Sequence, residues 1–401
     1  MMKTGWLLPL LLYVAGHPAA AEDVSVRPPN VPRIASVVMA APQPHATDHA
    51  VIWYDDFDDP QRQRQYPEQS GELTAAEHFG AGGRSLEMFY ARGQRGTGGR
   101  KIFFGDSPTH RRQRLRSGES FDEIYWRIYL KHPTDWRGGG PAKLSRATSL
   151  VPPGWRQAMI AHVWSSGEAL TLDPATGVRD GQVVTTRYND FPNLRWLGNK
   201  PASNFALHGA DGRGWWVCVE ARVKLNTPGQ QDGLNQLWID GRLEAERRGL
   251  DWRGTYQDYG INAIFLEAYW NEGSPVDQSR WIDNFVVSTQ PIGPVVCDPY
   301  PELLKTPYAG PADQQAWQVE VAADDRGASV VWHSGEIRTP RKVRVDTHNG
   351  VFTGALSSRT QLAPGGTYYC RVRQQSNQGA WSAWSPWHQP LRTSDRSQNG
   401  R

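Results

Sequence analysis

Cysteine is scarce: Cys218, Cys297 and Cys370 are the three in a chain of 401 residues. Three cysteines exclude a disulfide scaffold and leave no cysteine-rich zinc motif. At most one bridge can form, and Cys297–Cys370 is the expected pair, because both lie in or beside the C-terminal region. Charge of one sign is also lacking. The formal balance is +3, from 44 Lys and Arg against 41 Asp and Glu, so no general attraction to nucleic acid follows. Beyond the N-terminus no apolar run is long enough to cross a bilayer as a helix.

The N-terminus itself reads "MMKTGWLLPLLLYVAGHPAAA". A positive start at Lys3, a short apolar core from Trp6 to Ala15 and small residues at Ala19 and Ala21 predict a signal peptide over 1–21. The expected product, after cleavage near Ala21, is a secreted or periplasmic protein with no membrane span. A monomer is expected.

What the chain has in excess is Trp, 18 residues, with 40 Gly and 29 Pro. This composition, with little helical periodicity, predicts an all-β protein. Most of the large rings should fill sandwich cores. A few exposed Trp faces would suit stacking on the C–H face of a sugar.

Residues 22–50 are rich in Pro and Ala and read as a linker. Strand-like runs separated by Gly-rich turns then recur over 51–290, enough for one large sandwich. A Pro-rich joint covers 291–300. Residues 301–394 read as a smaller sandwich, and 395–401 as a tail.

Alternation carries the functional reading. In "WWVCVEARVKL" one face is Trp215, Val217, Val219, Ala221, Val223 and Leu225. The other is Trp216, Cys218, Glu220, Arg222 and Lys224. In "DEIYWRIYLKH" the apolar face is Ile124, Trp126, Ile128 and Leu130, and the other holds Tyr125, Arg127, Tyr129 and Lys131. Side chains alternate across a strand, so on one concave sheet these polar faces would line a groove. In "RQAMIAHVW", His162 shares a face with Ala158, Ile160 and Trp164, which leaves it open whether His162 is a core residue or a ligand-facing one.

The stretches "WVCVEARVKLNTPGQQDGLNQLWIDGRLEAERRGLDWR", "FDEIYWRIYLKHPTDWRGGGPAKL" and "WIDNFVVS" resemble concanavalin A-like jelly rolls of secreted polysaccharide lyases, the alginate and glucuronan lyases among them. The resemblance covers about residues 51–290. It implies a jelly-roll sandwich and, at Lys143 in "GGGPAKL", a lysine placed as in those enzymes. Their late strand with tyrosines two apart is missing; "YGINAIFLEAYW" offers Tyr269, two residues after Glu267. "LAPGGTYYCRVRQQSNQGAWSAWSPW" resembles fibronectin type III, with Tyr368 as the fold's corner tyrosine. There Trp381 and Trp384 are expected to stack on Arg371 and Arg373.

Eliminative cleavage of a uronic polymer needs a cation on the carboxylate, a base for the adjacent C–H and an acid for the leaving oxygen. Arg127, Arg222 and Lys224 are the expected cations, and the resemblance to the lyases adds Lys143 to the expected catalytic set. Tyr125, Tyr129 and His162 are the expected proton carriers. Trp216, Glu220, Lys224, Lys131 and Trp164 are the expected substrate contacts. The expected partner is an acidic polysaccharide and no cofactor is required. A structural Ca²⁺ at Asp56 and Asp283 is a further expectation. The alternative is a lectin-like protein of the same fold. A glycosidase is disfavoured, because no strand carries a spaced set of carboxylates.

Overall fold

The computed structural model describes residues 34–38, 48–80, 82–139, 142–209, 212–305, 313–338 and 342–395. The expected signal peptide, much of the 22–50 segment and residues 396–401 lie outside them. Nearly every described element is a strand. No helix among the described residues is long and apolar enough to cross a membrane.

The larger sandwich has two sheets. Seven strands run in the order Arg195–Trp196, Ala169–Thr176, Arg156–Ser166, Ala142–Val151, Ala263–Trp270, Gly96–Phe103 and Glu68–Ser70. The facing sheet has eight strands. Its centre is Trp216–Lys224, Glu123–Lys131 and Gln278–Ser288, side by side and antiparallel. The predicted apolar faces meet in the core: Trp126, Ile128, Val217, Val219 and Ala221 share one cluster with Leu144, Ala147, Ala161, Val163, Leu266 and Ala268. Each Val, Leu or Ile side chain among them contributes roughly 1.5–3 kcal/mol on burial.

The polar faces of the Glu123–Lys131 and Trp216–Lys224 strands do lie together, but they do not form a groove. Residues 290–297 cross over them. Glu220 accepts hydrogen bonds from the backbone N–H groups of Ile292 (2.9 Å) and Gly293 (2.8 Å). Arg127 donates to the carbonyls of Gly293 (3.1 Å) and Asn284 (3.3 Å), and the Tyr129 hydroxyl accepts from Val295 N–H (2.8 Å). Trp216, Tyr129 and Cys218 pack with Phe79 and Val295, and Tyr125 packs with Ile292. At the edge, Arg222 is paired with Glu123 (2.6 Å) and Lys131 with Glu77 (2.5 Å); Lys224 is half-buried beside them. The expected groove is therefore corrected. This polar face satisfies the backbone of residues 292–295, which belong to no strand.

That segment leads into a smaller sandwich. Its six-stranded sheet runs Val296–Cys297, His388–Thr393, Thr367–Ser376, Gln314–Ala322, Val330–Ser334 and Gly350–Phe352. Its second sheet has Glu302–Lys305 between Lys342–Arg344 and Ile34–Val38. So part of the segment read as a linker is a strand. The Tyr368 hydroxyl accepts from Ala363 N–H at 2.9 Å. Cys297 and Cys370 both lie in this core as free thiols, contrary to the expected bridge. The aromatic–arginine stack is present and longer than expected. Arg373 lies 4.6 Å from Trp381 and 4.6 Å from Trp384, and Arg371 lies 4.6 Å from Trp384 and 4.6 Å from Trp387.

Candidate functional site

The outer face of the seven-stranded sheet carries the candidate site. Register places two rows of side chains across it. In one, Glu68 pairs with Lys101, Lys101 with Phe265, Phe265 with Arg146, Arg146 with His162, and His162 with Asp173. In the other, Tyr269 pairs with Lys143, Lys143 with Trp164, and Trp164 with Thr171.

Lys143 and Arg146 are three apart, so a regular strand would turn them to opposite faces. A register shift between Lys143 and Ser145 removes that conflict. Leu144 packs in the core. Ser145 is also directed inward, where its hydroxyl accepts from Trp126 Nε1 at 3.0 Å. The bulge spends two consecutive residues on the inner face and returns Arg146 to the outer one.

Both terminal nitrogens of Arg146 are committed. It is paired with Glu267 at 2.8 Å and donates to Asn189 Oδ1 at 3.1 Å and to the Tyr188 hydroxyl. A fourth contact, 3.4 Å, is to His162 Nε2. His162 Nδ1 is 3.3 Å from the Asp173 carbonyl. A carbonyl only accepts and a guanidinium only donates, so the imidazole carries its proton on Nδ1. His162 is wholly buried. Burial, with Arg146 and Lys143 nearby, holds its pKa well below the usual histidine range. It is a neutral core residue that orients Arg146, and the expectation of a substrate-facing proton carrier is corrected.

Lys101 is paired with Glu68 and sits among Phe265, Trp155 and Tyr188. Lys200 is paired with Asp173 at 3.2 Å and lies over Trp164 and Trp196. Lys143 differs. Its Nζ makes no ion pair or hydrogen bond among the described residues. It lies 4.8 Å from the Tyr269 ring centroid, 5.6 Å from Trp164 and 6.0 Å from Phe191. Burial lowers its pKa, Glu267 works against that shift, and Arg146 adds to it.

These groups border a cavity of about 430 Å³. Lys143, Trp164, Glu267 and Tyr269 come from three adjacent strands; Tyr188, Asn189 and Phe191 come from the loop that crosses above them. Tyr269 is 38% exposed and Phe191 43%. Burial pushes the Tyr188 phenol up to about 12, against the opposing effect of Arg146. Because the Asn189 Oδ1 is taken by Arg146, its amide nitrogen is left to donate.

Of the expected site residues, Lys143, His162 and Trp164 lie on this sheet. Tyr125, Arg127, Tyr129, Lys131, Trp216, Glu220, Arg222 and Lys224 lie on the outer face of the other sheet, across the core. Sequence reasoning left Arg146, Tyr188, Asn189, Phe191, Glu267 and Tyr269 out of the site. Tyr269 and Glu267 were legible by alternation in "YGINAIFLEAYW"; the loop residues carry no periodic signal.

Asp56 and Asp283 border a separate cavity of about 180 Å³ with Asp58 and Asn284. Asp283 is buried, which raises its pKa well above the usual carboxylate range, and its oxygens accept from Phe79 N–H (2.8 Å) and Asn284 N–H (2.7 Å). Asp56 accepts from the Tyr54 hydroxyl and Asp58 N–H. Among the described residues no group of three or more His, Cys, Asp and Glu side chains is arranged to hold a metal. The expected calcium pair is thus occupied with protein donors.

No protein-family profile matches the sequence. No curated protein sequence matches it. Solved structures similar to this chain include an endo-β-1,4-glucuronan lyase from the fungus Trichoderma reesei, at 14% identity and TM-score 0.41, covering 60% of this chain and 96% of that one. An alginate lyase from a Chlorella virus has 12% identity and TM-score 0.43, covering 60% and 100%. An alginate lyase from the marine animal Aplysia kurodai has 13% identity and TM-score 0.36, covering 64% and 99%.

Proposed function

We propose that this chain is an exported polysaccharide lyase-like protein that binds a uronic acid-containing glycan in the Lys143–Tyr269 cavity and cleaves it by β-elimination. In this reading residues 51–290 are a concanavalin A-like jelly roll, and the smaller sandwich is fibronectin type III-like. The observation that carries it is Lys143, a buried cation with no carboxylate partner among the described residues, set in an aromatic-walled cavity. A cavity of that kind supplies a counter-charge for a substrate carboxylate and flat faces for a sugar ring.

The chemistry follows from the neighbours. Lys143 and the Asn189 amide hold the uronate carboxylate and acidify the C–H beside it. Tyr269, whose ring centre lies 4.8 Å from the Lys143 ammonium, is the base that takes the proton. The electron pair forms a double bond to the adjacent carbon as its bond to the bridging oxygen breaks. Tyr188 keeps its proton, because its pKa is raised to about 12. Arg146 occupies the oxygen of Tyr188 as a donor, so the phenol proton is directed to the departing oxygen.

One observation favours a second reading, a non-catalytic glycan-binding protein. Arg146, the group best suited to grip a carboxylate in two bonds, is already neutralised by Glu267. A single experiment separates the two. The purified protein is incubated with alginate, glucuronan, pectate and glycosaminoglycans while the ultraviolet absorbance of a conjugated, unsaturated uronate is followed. The expected result is a rise with one of them, abolished in Tyr269→Phe and cut in Lys143→Ala. A flat trace from protein that binds one of these glycans establishes the second reading instead.

A further inference from the structure

Arg280 belongs to the Gln278–Ser288 strand of the eight-stranded sheet, on the far side of the core from the cavity. It is fully buried. Its guanidinium crosses the core. Nη2 donates to the Lys143 carbonyl at 2.8 Å and also to the Glu267 carbonyl. The guanidinium lies over Tyr90, its carbon 5.7 Å from that ring centroid. Arg280 makes no ion pair among the described residues.

Both carbonyls sit where the two strands lose their regular pairing. Between Ala263–Trp270 and Ala142–Val151 the register slips from Leu266↔Ser145 to Tyr269↔Lys143. Two residues of one strand, Glu267 and Ala268, therefore face a single residue of the other, Leu144. A second slip separates Lys143 from Ser145 against the Arg156–Ser166 strand. A bulge disrupts the ladder locally, and a buried carbonyl left without a donor there is costly. A buried cation without a carboxylate is costly too. A core selected for stability alone would close this place with apolar side chains.

We propose that Arg280 is a positioning residue: by capping the Lys143 and Glu267 carbonyls from inside the sandwich, it locks the paired bulges that bring Lys143, Arg146 and Tyr269 onto one outer face. This rests on the lyase-like reading for its catalytic consequence, but the placement of Lys143 is measurable without catalysis. Arg280 touches no substrate, since the sheet itself lies between them. Removing its fork lets the strands slide toward regular pairing, and a one-residue slip turns alternate side chains to the other face.

The test uses the full chain with Arg280→Met and Arg280→Lys, each checked for folding by near-ultraviolet circular dichroism. Lysines are reductively methylated with ¹³C-formaldehyde, and the Lys143 signal is identified by its loss in Lys143→Ala. Its pH titration is then followed, with Lys200 as internal control. In Arg280→Met the Lys143 titration is expected to move up toward the ordinary lysine range while that of Lys200 stays. On the glycan that wild type cleaves, kcat is expected to fall about a hundredfold, the cost of a misplacement near 1 Å. Arg280→Lys, which can cap one carbonyl, recovers part of both. An unmoved Lys143 titration in a folded variant overturns the proposal; if Arg280→Met does not fold, Arg280→Lys decides by the same titration. Absence of elimination by the wild type overturns the lyase reading alone and leaves the titration to judge Arg280.

Discussion

Lys143 and Tyr269 face each other across adjacent antiparallel strands, Cα to Cα in register, with the ammonium 4.8 Å from the centre of the phenol ring. They are 126 positions apart, and neither stretch carries a motif that names the other. The contact exists because two strands bulge at the same level. It sets the first prediction.

Burial holds the Lys143 pKa below the ordinary lysine value, near 10.4 in water. The group is cationic below its pKa, so affinity for an acidic glycan should be full at neutral pH. It should be lost as pH rises, earlier than an ordinary lysine would lose it. Isothermal titration with the bound glycan across the alkaline range checks this, and Lys143→Met should remove that limb.

The joint between the sandwiches should depend on Glu220. Its carboxylate is the acceptor for two backbone N–H groups of the crossing segment. Glu220→Ala would leave a buried donor at Ile292 and a half-buried one at Gly293 without this partner and is expected to cost about 2–4 kcal/mol. Chemical denaturation gives the loss, and limited proteolysis between residues 290 and 297 should become faster.

The arginine–tryptophan stack should be non-uniform. Trp384 contacts both Arg371 and Arg373, while Trp381 and Trp387 contact one each. At about 0.5–1 kcal/mol per contact, Trp384→Ala should lower stability more than either outer replacement. Thermal melting of the three single variants ranks them.

Acid should unfold the larger sandwich in a window set by a buried histidine pair. His132 and His208 lie 4.7 Å apart between ring centres. Trp136 packs on both rings, Ser165 hydrogen-bonds His208, and Arg280 and Arg213 face the pair. Burial first, then those arginines, depress the His208 pKa to about 3 from 6.5; His132 is also pushed well down, by burial and then by His208, Arg280 and Arg213. With the folded values depressed, the unfolded chain binds more protons below pH 6.5. Stability should then be full above about 6.5 and fall as pH drops toward about 3. Urea midpoints over this range, compared with His208→Gln, check the slope; the variant should flatten it.

Much of the architecture was legible. Period-two alternation put Trp126, Ile128, Val217 and Val219 in the core, and they are there. It also paired Tyr125, Arg127, Glu220 and Arg222 on one face. What alternation could not give is what lies on top of a polar face. Water, a ligand and a Pro-rich segment with unsatisfied backbone all demand the same side chains. The bulge at Leu144 and Ser145 hid the working face in the opposite way, because a single inserted residue inverts every alternation read across it.

The sequence by itself determined that this protein is built of strands, which faces of those strands are apolar, and that Arg371 and Arg373 alternate beneath a run of tryptophans. Those properties are local, fixed by residues within a few positions of one another. Tertiary structure alone decided which polar face is covered and which is open, that Lys143 has no ion-pair partner among the described residues while Lys101, Arg146 and Lys200 each have a carboxylate, and that Arg280 reaches through the core to the bulge. Each of these depends on which distant residue occupies the next few ångströms. Charge and hydrogen-bond satisfaction are settled only there.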